Sequence, residues 1–575
     1  MQYTEVLVVG AGLAGLRAAI GVNERNHKAL VLSKVHPLRS HSIAAQGGVN
    51  AALGNHHRGV TDTPLKHAFD TVKGSDYLAD QDAAILMCEE APKRIYELER
   101  WGCPFSRTVD GKIAQRPFGG AGFPRTAYAV DRTGHVMLHT LYEQAVRFEE
   151  YSERQEMGFL DEWLVTRLVV DAGVCCGVVA VNLLTGEVEG ITAEAVIFGT
   201  GGSGRMYAQS TNALINSAHG MAVAYWAGVP LKDMEFIQFH PTTLWGTNIL
   251  MTEGCRGEGG FLTNSEGKRF LADYPDSQKA MEVAPRDITA RNMTREILAG
   301  RGVKGKYLNL DLRHLGADKI NARLPGIREI AMSFAGVDPI VDPIPVIPAQ
   351  HYTMGGISTN IHCETEVKGF YAAGEAACVS VHGGNRLGGN SLLDTVVFGA
   401  IAGWKAADFV DGKAAMKQGM KAVEAAVEEE RKVLDALRNA AGTEDPAAIR
   451  DELGQAMQEG VGIFRDKEKI QKALGTVLAL KGRFQDVKAT YRGRGMNPEL
   501  TNNLELRANL DVAEVVVRGA LGREESRGSH FRVDFPQRDD ARFLQHTVAR
   551  HVDGEGKISF SPVALGTWEP KERKY

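Results

Sequence analysis

The chain has 575 residues, which exceeds one ordinary domain and predicts two to four domains. Its net charge of −5 and its lack of a basic stripe exclude nucleic acid as a partner. The 7 cysteines include no C-x-x-C pair, so we expect no zinc site or iron–sulfur cluster within this chain, and a reducing compartment. No run of 18 apolar residues occurs and the first predicted strand begins at Tyr3, so we expect neither a membrane span nor a targeting peptide.

The first predicted elements form a strand–helix–strand unit that is typical of dinucleotide binding. A buried strand over residues 3–9 leads into the G-x-G-x-x-G turn of residues 10–15, and a helix over 16–22 is followed by a strand over 29–32. The first glycine permits a tight turn, the second lets a pyrophosphate approach the backbone, and the third lets helix and strand pack closely. The N-terminus of the helix then faces the phosphates.

The residues after the second strand indicate which dinucleotide is bound. Ser33 and Lys34 stand where an acidic residue usually holds the ribose of NAD, which argues against an ordinary NAD site. His41 falls where the loop beyond this strand returns toward the cofactor, and a neutral imidazole nitrogen is a good nucleophile. We therefore predict a flavin that is covalently attached through His41; the alternative is a solvated loop histidine.

Two later segments repeat the pattern of a strand that ends in glycine. They cover residues 195–202 and 369–375, and both would bring backbone to the same cofactor. One sheet is therefore expected to be assembled from distant parts of the chain, with another domain inserted between them.

The predicted fold is of the α/β class: a Rossmann-like FAD-binding domain with an inserted α+β capping domain, followed by a helical bundle and a C-terminal tail domain. An apolar stripe at helical spacing predicts the bundle, and Asp445 and Pro446 predict the start of one of its helices. The basic and aromatic residues after 523 predict either a packed tail or a docking surface for a partner subunit. The stripe is formed by Met416, Met420, Val423, Val427, Leu434 and Leu437. The predicted domains are 1–235 and 346–408 for FAD binding, 236–345 for the cap, 409–522 for the helical domain and 523–575 for the C-terminal domain.

Five polar segments lie among glycines and small residues, at 238–242, 252–260, 284–287, 350–356 and 384–392. Arginine and histidine flanked by glycine suit the close binding of small anions, because a guanidinium matches a carboxylate with two parallel hydrogen bonds.

These segments, together with residues 39–41 and 523–528, resemble the flavoprotein subunit of succinate dehydrogenase and quinol–fumarate reductase, and the resemblance covers essentially the whole chain. It implies FAD joined to His41 and a C4 dicarboxylate substrate. Many members of this family carry an Asp that touches the cofactor at the position where this chain has Ser217. We therefore leave Ser217 out of the predicted cofactor site.

The resemblance also implies roles for residues of the polar segments. One substrate carboxylate would be bound by His240 and Thr252, and the other by His351 and Arg386. Phe118 matches an aromatic residue near the reacting bond. The predicted catalytic residues are Arg286, Glu253, Arg256, His240, His351 and Arg386. The predicted cofactor-binding residues are Gly10, Ala11, Gly12, Ala14, Gly15, Ser33, Lys34, Ser40, His41, Ser42, Gln46, Gly47, Gly48, Thr200, Gly201, Gly202, Glu375, Arg386, Asn390, Ser391 and Leu392, and no metal ligand is predicted.

Arg286 matches the residue that transfers the substrate proton, and Glu253 and Arg256 match its relay to solvent. A free guanidinium has a pKa above about 12, so it is a poor base but a ready proton donor. Arg286 could therefore protonate a carbon during fumarate reduction, whereas succinate oxidation requires its prior deprotonation. The alternative is that Arg286 only clamps a carboxylate.

The resemblance implies partners, because this chain has neither cluster ligands nor a membrane span. We expect an iron–sulfur subunit and membrane anchor subunits that hold a quinone and, in some members, haem; the chain would lie at the cytoplasmic face of the cell membrane. Gln46 stands where some fumarate reductases have Glu, which leans toward the dehydrogenase direction. Three alternatives stay open: an L-aspartate oxidase, which would lack the linking histidine; a soluble fumarate reductase; and an electron-transfer subunit without chemistry of its own.

Overall fold

The computed structural model describes residues 2–150, 157–412 and 419–574. The strands are β1 (Gln2–Val9), β2 (Ala29–Ser33), β3 (Val49–Asn50), β4 (Gln115–Arg116), β5 (Thr126–Ala127), β6 (Met157–Asp161), β7 (Trp163–Asp171), β8 (Val174–Asn182), β9 (Val188–Phe198), β10 (Leu231–Lys232), β11 (Ile237–Leu244), β12 (Phe261–Thr263), β13 (Leu308–Asp311), β14 (Ile344–Thr353), β15 (Gly356–Ser358), β16 (Phe370–Ala372), β17 (Ala377–Cys378), β18 (Gln545–Val552) and β19 (Glu555–Pro562). The α-helices are α1 (Leu13–Asn23), α2 (Pro64–Gly74), α3 (Gln81–Arg100), α4 (Thr133–Glu150), α5 (His219–Trp226), α6 (Glu253–Gly257), α7 (Arg286–Leu298), α8 (Ala317–Arg323), α9 (Pro325–Ala335), α10 (Asn390–Asp411), α11 (Gly419–Arg438), α12 (Pro446–Gly460), α13 (Lys467–Phe484), α14 (Pro498–Gly522) and α15 (Asp540–Phe543).

The predicted sheet of distant segments is confirmed. Strands β6, β2, β1 and β9 run parallel in that order, and β8 and β7 extend the sheet with antiparallel pairing. Strand β16 pairs in parallel with the C-terminal end of β9, where Phe370 lies opposite Val196. Helix α1 begins at Leu13, earlier than the predicted residue 16, because the second half of the glycine turn already forms the first helical turn. The carboxyl ends of β1, β2 and β9 therefore meet at one edge, where ligands of such sheets bind.

The inserted cap is built around an antiparallel sheet in the order β11, β14, β13, β12. Helices α6 to α9 lie between these strands in the chain, and the cap has its own apolar core, which includes Phe270, Met293 and Leu310. The predicted boundary at residue 345 falls inside β14, which begins in the cap core at Ile344 and ends near the dinucleotide-binding domain. One continuous strand thus connects the cap to the flavin domain.

The predicted helical region contains helices α11 to α14. Asp445 caps α12 through a hydrogen bond in which the Ala447 amide donates to its side chain, at 3.0 Å. Within the predicted apolar stripe Val423 is buried and Met420 is exposed, while Met416 lies outside the described residues.

The C-terminal segment packs against the rest of the chain. Strands β18 and β19 form a hairpin, and β18 pairs with β10. Arg523 is fully buried and donates through Nε to Glu235 at 2.7 Å, and Arg527 donates likewise to Glu525 at 2.8 Å. These arginines lie inside the protein, which favours a packed tail over a basic docking surface. Across the described parts of the chain, no helix has the length and apolar character required to cross a bilayer.

Candidate functional site

One cavity of about 950 Å³ begins at the glycine turn after β1 and continues under the cap. Residues of the dinucleotide-binding domain line most of it, and residues of the cap close one end. The predicted cofactor residues that line it are Gly10, Ala11, Gly12, Ala14, Ser33, Lys34, Ser40, His41, Ser42, Gln46, Gly47, Gly48, Thr200, Gly201, Glu375, Arg386, Ser391 and Leu392.

Three predicted cofactor residues stand behind this lining. A side chain on Gly15 would collide with the carbonyl of Gly10, so Gly15 permits close packing of α1 on β1. A side chain on Gly202 would collide with the carboxylate of Glu375. Asn390 begins α10 and accepts through Oδ1 from the side chain of Asn50 at 2.8 Å, so it holds two segments together. These residues shape the cavity without forming its surface.

The turn end of the cavity fits the pyrophosphate of a dinucleotide. Gly10 has φ +100°, which favours glycine, and the backbone then enters α1 at Leu13 with its amides directed outward. The buried hydroxyls of Ser40 and Thr200 have no hydrogen-bond partner in the described residues. Unsatisfied buried donors are costly, and phosphate or ribityl oxygens of FAD would satisfy them.

His41 lies beside this part of the cavity. Its Nδ1 accepts a hydrogen bond from the Ala213 amide at 3.2 Å, and its Nε2 lies 3.4 Å from the side-chain nitrogen of Asn212. Burial, with a smaller effect of Arg205, lowers the pKa of His41 to about 4, so the ring is neutral near pH 7. Because Nδ1 is engaged, Nε2 is the nitrogen available for bonding to a cofactor.

Two histidines meet at the cap end of the cavity. His240 comes from β11 and His351 from β14, and their ring centroids are 4.9 Å apart. Nδ1 of His240 contacts the backbone of Thr242, and Nδ1 of His351 lies 2.8 Å from the hydroxyl of Thr211. Buried Nε2 of His240 has no partner in the described residues. Burial and then the nearby Arg286 hold the pKa of both rings well below the usual range, so both are neutral hydrogen-bonding groups.

Two arginines complete this end, and Gln238 joins them. Oε1 of Gln238 accepts from Nη1 of Arg286 at 3.0 Å and from Nη2 of Arg386 at 2.9 Å. Nε2 of Gln238 donates to the carbonyl of Arg386 at 2.7 Å, which fixes the amide orientation. The guanidinium of Arg386 lies over Tyr352, 4.4 Å from the ring centroid. Burial and the charge of Arg286 lower the pKa of Arg386 to about 9, which still leaves it protonated near pH 7.

Glu253 is the counter-charge to Arg286. Its Oε2 accepts from Nε of Arg286 at 2.7 Å, and its Oε1 accepts from the Gly119 amide at 2.6 Å. Burial alone would raise the pKa of Glu253, but the charges of Arg286 and Arg256 outweigh it and lower the pKa. The carboxylate therefore stays ionised beside Arg286.

Phe118 and Thr252 lie where the two domains meet. Phe118 is buried, and a side chain on Gly47 would come within 2.8 Å of its ring. Thr252 caps α6 by accepting from the Gly254 amide at 3.1 Å, and its side chain lines the cavity. Both residues thus line the cavity close to its cap end.

Arg256 lies behind the cavity lining. Its Nη1 donates to the carbonyl of Glu282 at 2.5 Å, whereas its buried Nε and Nη2 have no partner in the described residues. A hydrogen bond joins Arg286 to Glu253, but none joins Glu253 to Arg256 among the described contacts. The contact between Arg286 and Glu253 is therefore formed, and a contact between Glu253 and Arg256 would require Arg256 to reorient.

The sequence patterns alone assign no role to Gln238. Ile237 and Phe239 of β11 pack in the apolar core. Because side chains alternate along a strand, Gln238 and His240 lie on the opposite face, toward the arginines and the cavity. The period of two along this strand could have identified Gln238 as a neighbour of His240.

Comparison with known proteins agrees with this geometry. A family model described as FAD binding domain matches residues 5–392, and one described as fumarate reductase flavoprotein C-term matches residues 450–575. The fumarate reductase flavoprotein subunit of Mycobacterium tuberculosis is 44% identical over 99% of this chain and 99% of its own. The succinate dehydrogenase flavoprotein subunit of Rickettsia bellii is also 44% identical, over 98% of this chain and 96% of its own. A solved structure of a mutant quinol fumarate reductase subunit FrdA from Escherichia coli is 42% identical with a TM-score of 0.94, covering 100% of this chain and 99% of the other.

The fold and the cavity, with these matches, define a FAD-binding oxidoreductase. The two family models match the N-terminal and central parts of the chain and its C-terminal part, and the relatives match almost its full length. The chain belongs to the family of fumarate reductase and succinate dehydrogenase flavoprotein subunits.

Proposed function

We propose that this chain is the catalytic subunit that interconverts succinate and fumarate at FAD bound covalently through His41. The observation that carries the proposal is the gathering of two arginines and two neutral histidines at one end of the cofactor cavity, with Glu253 as the nearby carboxylate. This arrangement suits a small dianion that is held at both ends.

The free donors of the site decide which ligand it favours. Nδ1 of His240 lies 3.0 Å from the carbonyl oxygen and 3.2 Å from the amide nitrogen of Thr242. In the tautomer in which Nδ1 accepts from the amide, Nε2 carries the proton and can donate to a carboxylate. Buried Nε of Arg386 has no partner in the described residues and can donate likewise. Charge-assisted hydrogen bonds contribute about 1.5–3 kcal/mol each, so several of them fix both the position and the orientation of a dicarboxylate.

FAD, when bound, accepts a hydride from succinate or donates one to fumarate. Arg286 supplies the proton to the other carbon in fumarate reduction and receives it in succinate oxidation. Glu253 lies against Nε of Arg286, so it holds the guanidinium in place and is the adjacent group that can return a proton to it. Phe118 excludes water from the reacting bond, which strengthens the electrostatic interactions of the site.

The covalent link is proposed at Nε2 of His41. Because Nδ1 accepts from the Ala213 amide, Nε2 carries the ring proton and would bond only after losing it. The link would replace a C–H bond of the flavin with a C–N bond, and the flavin ring itself would take up the two electrons of that oxidation. We infer that the link raises the flavin potential enough to accept electrons from succinate.

Electrons leave or reach the flavin through an iron–sulfur subunit, and a quinone in a membrane anchor is the final partner. Support comes from the relatives: a solved structure of quinol-fumarate reductase with menaquinol molecules resembles this chain with a TM-score of 0.93. We propose that the chain lies at the cytoplasmic face of the membrane, bound through these partner subunits.

The proposal is tested on the purified native assembly. We expect flavin that stays with the protein after acid precipitation, turnover of both succinate and fumarate, and a change in the flavin spectrum when succinate is added. Malonate, a dicarboxylate that cannot react, should block turnover and bind competitively. Flavin released by acid from an active enzyme would contradict the link to His41, and absence of a succinate-induced spectral change would contradict the substrate assignment.

A further inference from the structure

A carboxylate from the helical domain reaches the cofactor cavity at the end opposite to the cap. Glu505 belongs to α14, is only 3% exposed, and lines the cavity together with Ser33 and Lys34 at the end of β2. Helix α14 otherwise packs in the core formed by the helical domain and α5. A buried acid that lines a cavity requires a partner or a ligand.

Among the residues that the structure describes, the hydrogen bonds of Glu505 engage one of its two carboxylate oxygens. Oε1 accepts from the hydroxyl of Ser217 at 2.6 Å and forms an ion pair with Nζ of Lys34. One turn along the helix, Asn509 donates to the carbonyl of Ser217 at 2.5 Å, which fixes the helix against this loop. Oε2 of Glu505 makes no hydrogen bond to any residue that the structure describes.

The position of Glu505 matches a need of the dinucleotide fold. In this fold an acid at the end of the second strand usually accepts hydrogen bonds from the hydroxyls of the adenosine ribose. Here that strand ends in Ser33 and continues in Lys34, so the local sequence supplies no acid. Glu505 is the acidic lining residue that contacts this strand end.

The other acidic lining residues are engaged elsewhere. Asp131 accepts from the Ile327 amide at the start of α9, and Glu329 pairs with Arg132. Glu253 pairs with Arg286, as described above. Glu375 accepts from the Thr353 amide at 3.0 Å. None of these contacts involves the end of β2.

We propose that Glu505 binds the adenosine ribose of FAD, with Oε2 accepting a hydrogen bond from a ribose hydroxyl. Ser217 and Lys34 hold the carboxylate in this orientation. The helical domain is thereby part of the cofactor site rather than a neighbour of it. The inference rests on FAD binding and not on dicarboxylate chemistry, so failure of succinate turnover would leave it standing.

The test uses binding of the cofactor to the full chain. In a His41→Ser background, where the link cannot form, flavin fluorescence gives a dissociation constant. FAD is compared with analogues that carry 2′-deoxyadenosine or 3′-deoxyadenosine, and with FMN, which has no adenosine. We expect one deoxy analogue to bind roughly 10- to 100-fold more weakly than FAD, in line with a hydrogen bond to a charged acceptor.

Adding Glu505→Gln should weaken FAD binding by a similar factor, remove the penalty of that deoxy analogue, and leave FMN binding unchanged. Lys34→Met is the matched control, because it breaks the ion pair but keeps the carboxylate, so the deoxy penalty should persist. If Glu505 acts only as an interdomain ion pair, both variants lower the apoprotein melting temperature and neither changes the deoxy penalty, which would overturn the inference. Equal binding of FAD and both deoxy analogues to the background protein would overturn it without any change at Glu505.

Discussion

Replacing Gln238 with methionine tests whether the site depends on the orientation of its two arginines. Methionine has a similar length and stays apolar, so it should fill the same space in a position that is completely buried. The change removes the oxygen that accepts from both Arg286 and Arg386. Each guanidinium keeps its charge but loses one positioning contact.

The expected magnitude follows from these two bonds. A hydrogen bond to a charged group contributes about 1.5–3 kcal/mol, and about 1.36 kcal/mol corresponds to a tenfold change in rate. Loss of one such contact in the transition state lowers kcat/KM roughly 10- to 150-fold. Loss of both contacts should lower kcat/KM further. A bound dicarboxylate would replace part of this loss, because it also accepts hydrogen bonds from the two arginines.

Fumarate reduction with a reduced viologen dye, and succinate oxidation with an artificial acceptor, measure this effect in both directions. Gln115→Met is the matched control: Gln115 is also a buried strand glutamine, but its side chain donates to the carbonyls of Ala51 and Arg125, away from the arginines. We expect Gln238→Met to lower kcat/KM with normal flavin content, and Gln115→Met to affect stability only. Activity of Gln238→Met within threefold of the unmodified protein would refute the positioning argument.

Three further changes address proton transfer, the flavin link and stability. Arg286→Lys should keep its flavin content and lose nearly all activity in both directions. The reason is that an ammonium group cannot retain the hydrogen bonds to Glu253 and to the substrate together. A variant that keeps most of its activity would contradict the proton-transfer role. His41→Ser should bind FAD without a covalent link, reduce fumarate weakly and oxidise little succinate, and vigorous succinate oxidation would contradict the inferred rise in potential. Burial lowers the pKa of His546, but the carboxylates of Asp233 and Asp80 outweigh burial and raise the pKa from 6.5 to about 9. Protonated His546 therefore stabilises the folded state by an amount on the order of 3 kcal/mol. This stabilisation is complete below pH 6.5 and is lost as the pH rises through 9. The melting temperature should therefore fall between pH 7 and 9.5, and a curve of the same slope in His546→Asn would exclude this cause.

Much of the fold follows from local patterns in the sequence. The glycine turn and the alternation of strand and helix specify the dinucleotide-binding unit, and the strand that ends at residue 198 pairs, as expected, with the one that begins at residue 370. Parallel strands of one sheet bring their carboxyl ends together, so residues that are distant in the chain were expected to line one cavity. The histidines of the cap do not follow from this rule, because His240 lies within β11 and His351 near the end of β14, and these two strands are antiparallel.

The contacts between domains carry no such local pattern. The sequence around Glu505 in α14 has no motif that sets this residue apart from other polar residues of a helix. Only the packing of α14 against the loop that contains Ser217 brings Glu505 to the cavity. The role of Gln238 is likewise set by tertiary contacts, because its side chain accepts hydrogen bonds from Arg286 and Arg386, which belong to separate segments of the chain. Sequence periodicity identifies a face, but not which distant group will meet it.

The split flavin domain sets an order of events during synthesis. His41 is made early, but the amide that engages its ring belongs to residue 213, and later parts of the cavity lining include Ala373, after β16, and Glu505 of α14. A nascent chain released only as far as the cap therefore has His41 without the complete pocket around it. On the proposed link to His41, flavin attachment would follow the synthesis of the whole subunit, and chains cut short before α14 should carry no covalent flavin.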